Sequence, residues 1–99
     1  MTETQLTRRI RDRIRKRGGM TYKMHGGPYM EAGVPDLVIV YRGNVLFAEV
    51  KAPGNGPTLH QSRQLNRLAG HGAMAMVVRT VEEIDYWLDE MKERADATP

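Results

Sequence analysis

The stretch Gly33–Gly54, "GVPDLVIVYRGNVLFAEVKAPG", decides the fold because it contains the two clearest strand patterns in the chain. "DLVIVY" and "VLFAEVK" are apolar runs on either side of a short turn, which predicts a β-hairpin. Three charged residues, Asp36, Glu49 and Lys51, interrupt these runs. Burying charged groups without partners is unfavourable, so their presence in buried strands indicates a shared role.

The turn decides whether the three charges lie on one face of the hairpin. Side chains two residues apart on a strand point the same way, so Glu49 and Lys51 lie together, ~6–7 Å apart. If Arg42-Gly43 is a two-residue loop, Asp36 falls opposite Glu49. If the loop begins one residue later, Asp36 falls opposite Lys51. Both registers predict a single cluster, whereas a three-residue loop without a bulge would turn Asp36 to the other face.

Such a cluster has the groups needed for metal-assisted hydrolysis of a phosphodiester. Two facing carboxylates repel each other unless a proton or a cation lies between them. Oxygen ligands suit a hard divalent cation such as Mg²⁺ or Mn²⁺. Lys51 beside that ion would hold a water or stabilise charge on a phosphate oxygen. The alternative is a structural Glu49–Lys51 ion pair, with Asp36 merely starting a strand.

The rest of the sequence predicts an α/β fold with the element order αβββαβα. The strand–helix–strand passage after the hairpin turn favours a parallel crossover, and hence a mixed central sheet flanked by helices on both sides. Residues 1–99 are predicted to form one domain, with 95–99 fraying. The predicted elements outside the hairpin are a helix capped by Thr2 or Thr4 and ending near Arg17, a short strand in Met20–His25 that is a candidate edge strand, a helix from Thr58 to about Ala69, a strand in Ala73–Val78 and a helix capped by Thr80.

The composition excludes several classes of protein. The 99 residues include no cysteine, which removes disulfides and cysteine-based zinc sites and is consistent with a reducing cytoplasm. No apolar run approaches the ~20 residues of a membrane span, and the N-terminus lacks a signal-peptide pattern. A cytoplasmic protein without a membrane contact is therefore expected. No small-molecule cofactor is expected either.

Basic charge is concentrated in "RRIRDRIRKR", residues 8–17, which hold seven basic residues and one acid. A stripe this rich in arginine predicts a polyanion partner, and DNA in particular, because guanidinium groups pair well with phosphates. The alternative is a solvated helix face. The predicted DNA contacts are Arg8, Arg9, Arg11, Arg13, Arg15, Lys16 and Arg17, with Tyr29 in the loop before the hairpin as a further candidate.

"GVPD" followed thirteen residues after Asp36 by "EVK" resembles the PD-(D/E)XK nuclease superfamily. The leading helix with an early acid, "AEVKAPG", a Gln opening the next helix and "VRTVEEID" resemble its stand-alone VRR-NUC branch, which occurs in bacteriophages. The resemblance implies Mg²⁺ or Mn²⁺ bound by Asp36, Glu49 and the Val50 carbonyl, with Lys51 as the catalytic lysine. It further implies that Gln61 supports Lys51 or contacts the scissile phosphate, and that Glu3 joins the site.

The resemblance also implies a structure-specific DNA endonuclease, and it points to four-way (Holliday) junctions as the substrate. A chain this short is expected to act as a homodimer, because two-fold symmetry would present two active sites to two scissile positions. If the gene belongs to a phage, the protein works in the bacterial host cytoplasm. Two alternatives remain open, namely a nuclease for flaps, ends or ordinary duplex in phage DNA processing, and a non-catalytic DNA-binding accessory protein.

Overall fold

The computed structural model describes residues 1–24 and 31–97, and within these ranges the predicted order αβββαβα is confirmed. α3 continues to Ala97, so residues 95–97, which were expected to fray, are helical. Residues 98–99 lie outside the described ranges. The elements are α1 (Glu3–Lys16), β1 (Met20–Lys23), β2 (Leu37–Tyr41), β3 (Asn44–Val50), α2 (Leu59–Gly70), β4 (Met74–Val78) and α3 (Val81–Ala97).

The four strands form one mixed sheet in the order β1-β2-β3-β4. β1 and β2 pair antiparallel, as do β2 and β3, and β1 is the edge strand that the sequence predicts. β3 and β4 pair in parallel, because α2 carries the chain back to the starting end of the sheet. The last residues of β3 and β4 therefore meet at one edge, where Lys51 N–H donates to the Val78 carbonyl oxygen (3.1 Å).

The hairpin turn adopts the first of the two registers left open by the sequence. Tyr41 pairs with Asn44, which leaves Arg42-Gly43 as the loop. Both loop residues have positive φ, 52° at Arg42 and 78° at Gly43, as a type I′ turn requires. The Asn44 side chain also donates to the Met91 carbonyl oxygen (2.9 Å), which ties the turn to α3.

The hydrophobic core lies between one face of the sheet and the helices α1 and α3. α1 contributes the narrow stripe that its spacing predicts, Leu6, Ile10 and Ile14, all buried. The strands and α3 complete this core through Leu37, Ile39, Tyr41, Leu46, Ala48, Val50, Val78, Ile84, Leu88 and Met91. α2 packs against β4, and its buried Leu65 lies outside this cluster.

The opposite face of the sheet is less covered than the apolar strands predict. Strand pairing places Met20, Val40 and Val45 in one row across this face, and Tyr22, Val38 and Phe47 in the next. Met20, Tyr22 and Val45 are exposed, and the other three are only half-buried. Burial on both faces was therefore a wrong expectation for this end of the sheet.

The helices of the described ranges are all too short or too polar to cross a membrane.

Candidate active site

The register of the hairpin brings the three charged residues of the opening stretch together. Leu37 pairs with Ala48, so one step further along the strands Asp36 lies opposite Glu49. The pairing of β1 continues past its last residue, since Met24 N–H donates to the Asp36 carbonyl oxygen (2.7 Å). Lys51 follows Glu49 by two residues and its Nζ lies 3.7 Å from Glu49 Oε2. The cluster that strand parity favours is thus present.

Glu49 is the most deeply buried ionisable group of this cluster. Only 2% of its surface is exposed, and its Oε1 has no hydrogen-bond partner within the described residues. Burial and, second, the neighbouring Asp36 carboxylate raise the pKa of Glu49 to about 7, while Lys51 acts in the opposite direction. A buried carboxylate with an unpartnered oxygen beside a second carboxylate is an arrangement that a cation would stabilise.

Asp36 is fixed by the backbone at the end of β3. Its Oδ2 accepts a hydrogen bond from Val50 N–H at 3.0 Å. This bond joins the start of β2 to the end of β3, so the carboxylate position depends on the hairpin register and not on a free rotamer. Asp36 and Val50 both line a cavity of about 150 Å³ that opens beside the cluster.

Glu3, at the start of α1, reaches the same cavity from the other end of the chain. It lines the cavity with Asp36 and Val50, and its Oε1 accepts from Asn55 Nδ2 (3.3 Å) and Ala52 N–H (3.2 Å). These hydrogen bonds, that of Asn55 first, lower the pKa of the Glu3 carboxyl. Glu3 is therefore a negative charge at the site, held by the loop that follows Lys51.

The donor set suits a hard divalent cation. Asp36 and Glu49 supply carboxylate oxygens, one of them buried and unpartnered among the described residues, and the Val50 carbonyl is the further ligand that the family resemblance implies. In residues 1–24 and 31–97 no group of three or more His, Cys, Asp or Glu side chains is close enough to hold a metal. Two carboxylates, backbone and water or phosphate oxygens would therefore make up the coordination, which is usual for Mg²⁺.

Known proteins share this fold and part of this sequence. A solved structure described as "VRR_NUC domain" superposes with a TM-score of 0.75 and 27% identity, covering 90% of this chain and 97% of the other. A curated protein, "Putative nuclease p44" of Acyrthosiphon pisum secondary endosymbiont phage 1, is 36% identical over 77 residues. That match covers 77% of this chain and 81% of the phage protein. The chain belongs to the VRR-NUC family. No protein-family model matches the sequence.

The VRR-NUC motif glycine, Gly33, positions the loop that carries Asp36. Gly33 has φ +81°, and a Cβ placed on it would lie 2.4 Å from the His60 carbonyl carbon and 2.7 Å from Gln61 N. Only a residue without a side chain allows this loop to pack directly on the first turn of α2. The carboxylate loop and α2 are therefore in backbone contact.

Gln61 has a structural contact in this VRR-NUC chain that differs from the predicted one. Its Oε1 accepts from Thr58 N–H (2.9 Å), and Thr58 Oγ1 accepts from Gln61 N–H (3.2 Å). This reciprocal pair is a capping box, which satisfies free N–H groups at the start of α2. The side chain is half-buried at that cap, and its contact with Lys51 or with phosphate stays a prediction.

The basic residues of α1 form two groups, those that form ion pairs with α3 and those that do not. Arg13 Nε bonds Asp85 Oδ1 (2.7 Å), and Arg17 bonds both Asp85 and Asp89, the latter at 2.6 Å. These ion pairs brace α1 against α3, and a contact of either arginine with DNA stays a prediction. The other predicted contacts do not join α3: Arg8, Arg9, Arg15 and Lys16 are exposed, and Arg11 is half-buried.

Tyr29 lies outside the described residues, so its predicted contact with DNA stays a prediction. Two other residues near the site were not singled out from the sequence. Lys23, the last residue of β1, lines the cavity beside Asp36, and Asn55 holds Glu3. The strand pattern of Met20–His25 predicts a strand position for Lys23 but not its neighbours, and the sequence around Asn55 predicts only a loop.

Proposed function

We propose that this VRR-NUC protein is a divalent-metal-dependent DNA endonuclease that hydrolyses phosphodiester bonds and resolves four-way junctions as a homodimer. The observation that carries the proposal is the buried Glu49, with an oxygen that has no partner among the described residues, facing the half-buried Asp36 and beside Lys51. A pair of this kind has no evident structural use, because replacing it with apolar residues would remove a desolvation penalty.

Each residue of the cluster has a role that follows from its position. Asp36 and Glu49 hold the cation with the Val50 carbonyl, and Mg²⁺ or Mn²⁺, when bound, supplies positive charge for the phosphate and lowers the pKa of water. Lys51 is only 13% exposed and is held near Glu49, so its ammonium is directed into the site. It orients the attacking water and stabilises charge that develops on the phosphate. Glu3, on the far side of the cavity, supports the site through its contacts with the loop after Lys51.

DNA is the substrate that the relatives favour. The phage relative is named a nuclease, and the remaining arginines of α1 give the face beside the site a positive charge. A phage origin for this chain as well would place its action in the cytoplasm of the bacterial host.

A homodimer is supported by the uncovered face of the sheet. Met20, Tyr22 and Val45 expose apolar surface there. Tyr22, Val38 and Phe47 form one row across this face, and the next row contains Asp36 and Glu49. A two-fold contact across this face would place two catalytic clusters at a fixed separation. Two clusters so related suit a substrate with two symmetric scissile phosphates, as in a four-way junction.

The test compares wild type with Asp36→Asn and Lys51→Ala on end-labelled junction, flap, duplex and single-stranded DNA, with Mg²⁺, with Mn²⁺ and with EDTA. We expect paired, symmetric cuts in the junction by the wild type only, and only with metal. Both variants should bind the junction as tightly as wild type does in EDTA, with cleavage at least 10²-fold slower, since each removes a group that acts in the transition state.

Other outcomes separate the alternatives. Cuts in flaps, ends or duplex with an intact junction would replace junction resolution with general DNA processing. Tight binding by all three proteins without cleavage of any substrate would make this chain a non-catalytic DNA-binding accessory protein.

A further inference from the structure

The cavity that Asp36 and Glu3 line continues into a second cavity along α1. The first, of about 150 Å³, is lined by Glu3, Thr4, Thr7, Lys23, Asp36 and Val50. The second, of about 180 Å³, is lined by Thr4, Thr7, Arg8, Arg11, Arg15 and Lys23. Three residues, Thr4, Thr7 and Lys23, line both, so the two cavities form one groove that leads away from the carboxylates between α1 and β1.

Helix geometry explains why these side chains share the groove. Positions 4, 8, 11 and 15 follow the spacing that keeps residues on one face of an α-helix. The buried stripe of Leu6, Ile10 and Ile14 faces the core, and Arg13 and Arg17 face α3. Arg8, Arg11 and Arg15 therefore form a separate face, and the ~1.5 Å rise per residue makes it about 10 Å long, enough to follow more than one phosphate.

Among the described residues, the second cavity is lined by four cationic side chains and by no acidic one. Its cations are Arg8, Arg11, Arg15 and Lys23. Among the described residues only Arg15 of these four has an ion pair, with Asp12 at 3.7 Å, and both of its members are largely exposed (54% and 68%). Exposed pairs of this kind are weak, so the positive charge of the groove is almost uncompensated.

Arg11 adds an observation that points to a ligand. Its Nε is buried and has no hydrogen-bond partner in the part of the chain that the structure describes. An unpaired buried N–H of a charged group is unfavourable, and an anionic oxygen in the groove would satisfy it. Arg13 Nε, two residues later, already has such an oxygen from Asp85.

We propose that this groove is a subsite for backbone phosphates of the strand that is cut, with Arg8, Arg11, Arg15 and Lys23 as its ligands. The proposal rests on DNA being the substrate of the neighbouring carboxylate cluster. It assigns the flanking phosphates on one side of the scissile bond to the groove. It also gives Lys23, which lies on the sheet, the same function as the arginines of the helix.

The experiment measures binding separately from cleavage. All proteins carry Asp36→Asn and are studied in EDTA with a fluorescent DNA junction, by anisotropy, over a series of salt concentrations. The test variant is Arg11→Gln with Lys23→Gln. The matched control is Arg42→Gln with Lys92→Gln, which removes the same charge from exposed positions that do not line the groove and have no predicted contact with DNA. Thermal melts confirm that both variants are folded.

We expect the groove variant to bind at least 10-fold more weakly, with a salt slope reduced by about 2, as the loss of two phosphate contacts predicts. The control should lose less than threefold. A second measurement replaces single phosphates of one strand with neutral methylphosphonates. Binding by the Asp36→Asn parent should weaken at positions on one side of the cleavage site mapped with wild type, and the groove variant should no longer sense those positions.

Equal losses for the groove and control variants would overturn the proposal, because they would show a diffuse charge effect. Unchanged binding by the groove variant would also overturn it. A failure of the proposed catalysis would give a result different from both of these outcomes. If wild type cleaves no DNA but the groove variant alone loses binding, the phosphate subsite stands and the proposed hydrolysis fails.

Discussion

Glu49 is a buried acid whose surroundings disfavour its ionised form. The pKa of its carboxyl is raised to about 7 by burial and by Asp36, against an ordinary value of 4.5. The folded protein therefore binds a proton more tightly than the unfolded chain does, and this contribution to stability is present below pH 4.5 and is lost as the pH rises through about 7. Ionised Glu49 destabilises the metal-free fold, and a bound cation would reverse that effect.

We expect Glu49→Gln to stabilise the metal-free protein at pH 8, by up to about 3 kcal/mol, and to have little effect at pH 5. Glutamine fills nearly the same volume without a charge, although Lys51 then loses its partner. The measurement is urea unfolding in EDTA at both pH values. Adding Mn²⁺ should raise the melting temperature of wild type and not of the variant.

Glu93→Gln is the control for this prediction, because Glu93 is exposed on α3 and its substitution should change stability equally little at both pH values. The prediction would be wrong if the difference in stability between wild type and Glu49→Gln were the same at pH 5 and pH 8. Ionisation of Glu49 would then have no effect on the stability of the fold.

Gly33 couples the carboxylate loop to α2 through direct backbone contact. We expect Gly33→Ala to destabilise the fold by several kcal/mol and to lower the cleavage rate, because its methyl group would overlap the His60–Gln61 peptide. Gly54→Ala is the matched control. Gly54 has a similar φ (+91°), but no described residue lies within 4 Å of the added Cβ, so only backbone strain of about 1–2 kcal/mol applies. Equal destabilisation of the two variants in urea unfolding would contradict the contact.

At the scale of elements, α1 has three functional faces that the helix period separates. One face is apolar and buried, one is ion-paired to α3, and one lines the groove beside the site. The pairing with Arg13, more than any other contact, lowers the pKa of Asp85, and Arg17 acts in the same direction. Acidic residues of α3 therefore help to hold α1 in place.

We expect Asp85→Asn to lower stability at pH 7 by no more than about 1 kcal/mol, because these ion pairs are partly exposed. Since the pKa of folded Asp85 lies below 3.8, the contribution is present above that value and is lost as the pH falls through the lowered pKa. Thermal melts at pH 7 and pH 3 measure this difference, with Asp12→Asn as the control for an exposed pair. An Asp85→Asn protein as stable as wild type at pH 7 would show that the brace contributes nothing.

At the scale of the whole molecule, the two faces of the sheet differ in how completely they are covered. α1 and α3 seal one face, whereas Met20, Tyr22 and Val45 leave exposed apolar surface on the other. Apolar surface gathered in this way is typical of a contact with another protein chain. Because Asp36 and Glu49 lie in the adjoining row, a second copy of this chain is the partner that fits the proposed function.

We expect wild type to be a dimer at micromolar concentration by light scattering, and Met20→Lys to be a monomer, because a charge at the centre of an apolar contact would be desolvated. Tyr86→Lys is the matched control, since Tyr86 is as exposed as Met20 (56% and 55%) but lies on α3. It should remain dimeric. A monomeric wild type, or loss of the dimer in both variants, would exclude this face as the interface.

The sequence by itself determined the element order and the mixed sheet, and it favoured the convergence of Asp36, Glu49 and Lys51. These depend on strand parity, capping residues and turn chemistry, which are set by near neighbours in the chain. The choice between the two hairpin registers was left to the structure, where positive φ at Arg42 and Gly43 selects the loop.

Only the tertiary structure decided which cations of α1 are available to a partner. Arg13 and Asp85 are 72 residues apart, and nothing local to "RRIRDRIRKR" distinguishes Arg13 from Arg11. The place of Glu3 beside Asp36 and that of Lys23 in the groove likewise depend on how distant segments pack. Long charged side chains take their partners from whatever element lies opposite them, and the packing of elements, not their local pattern, sets that choice.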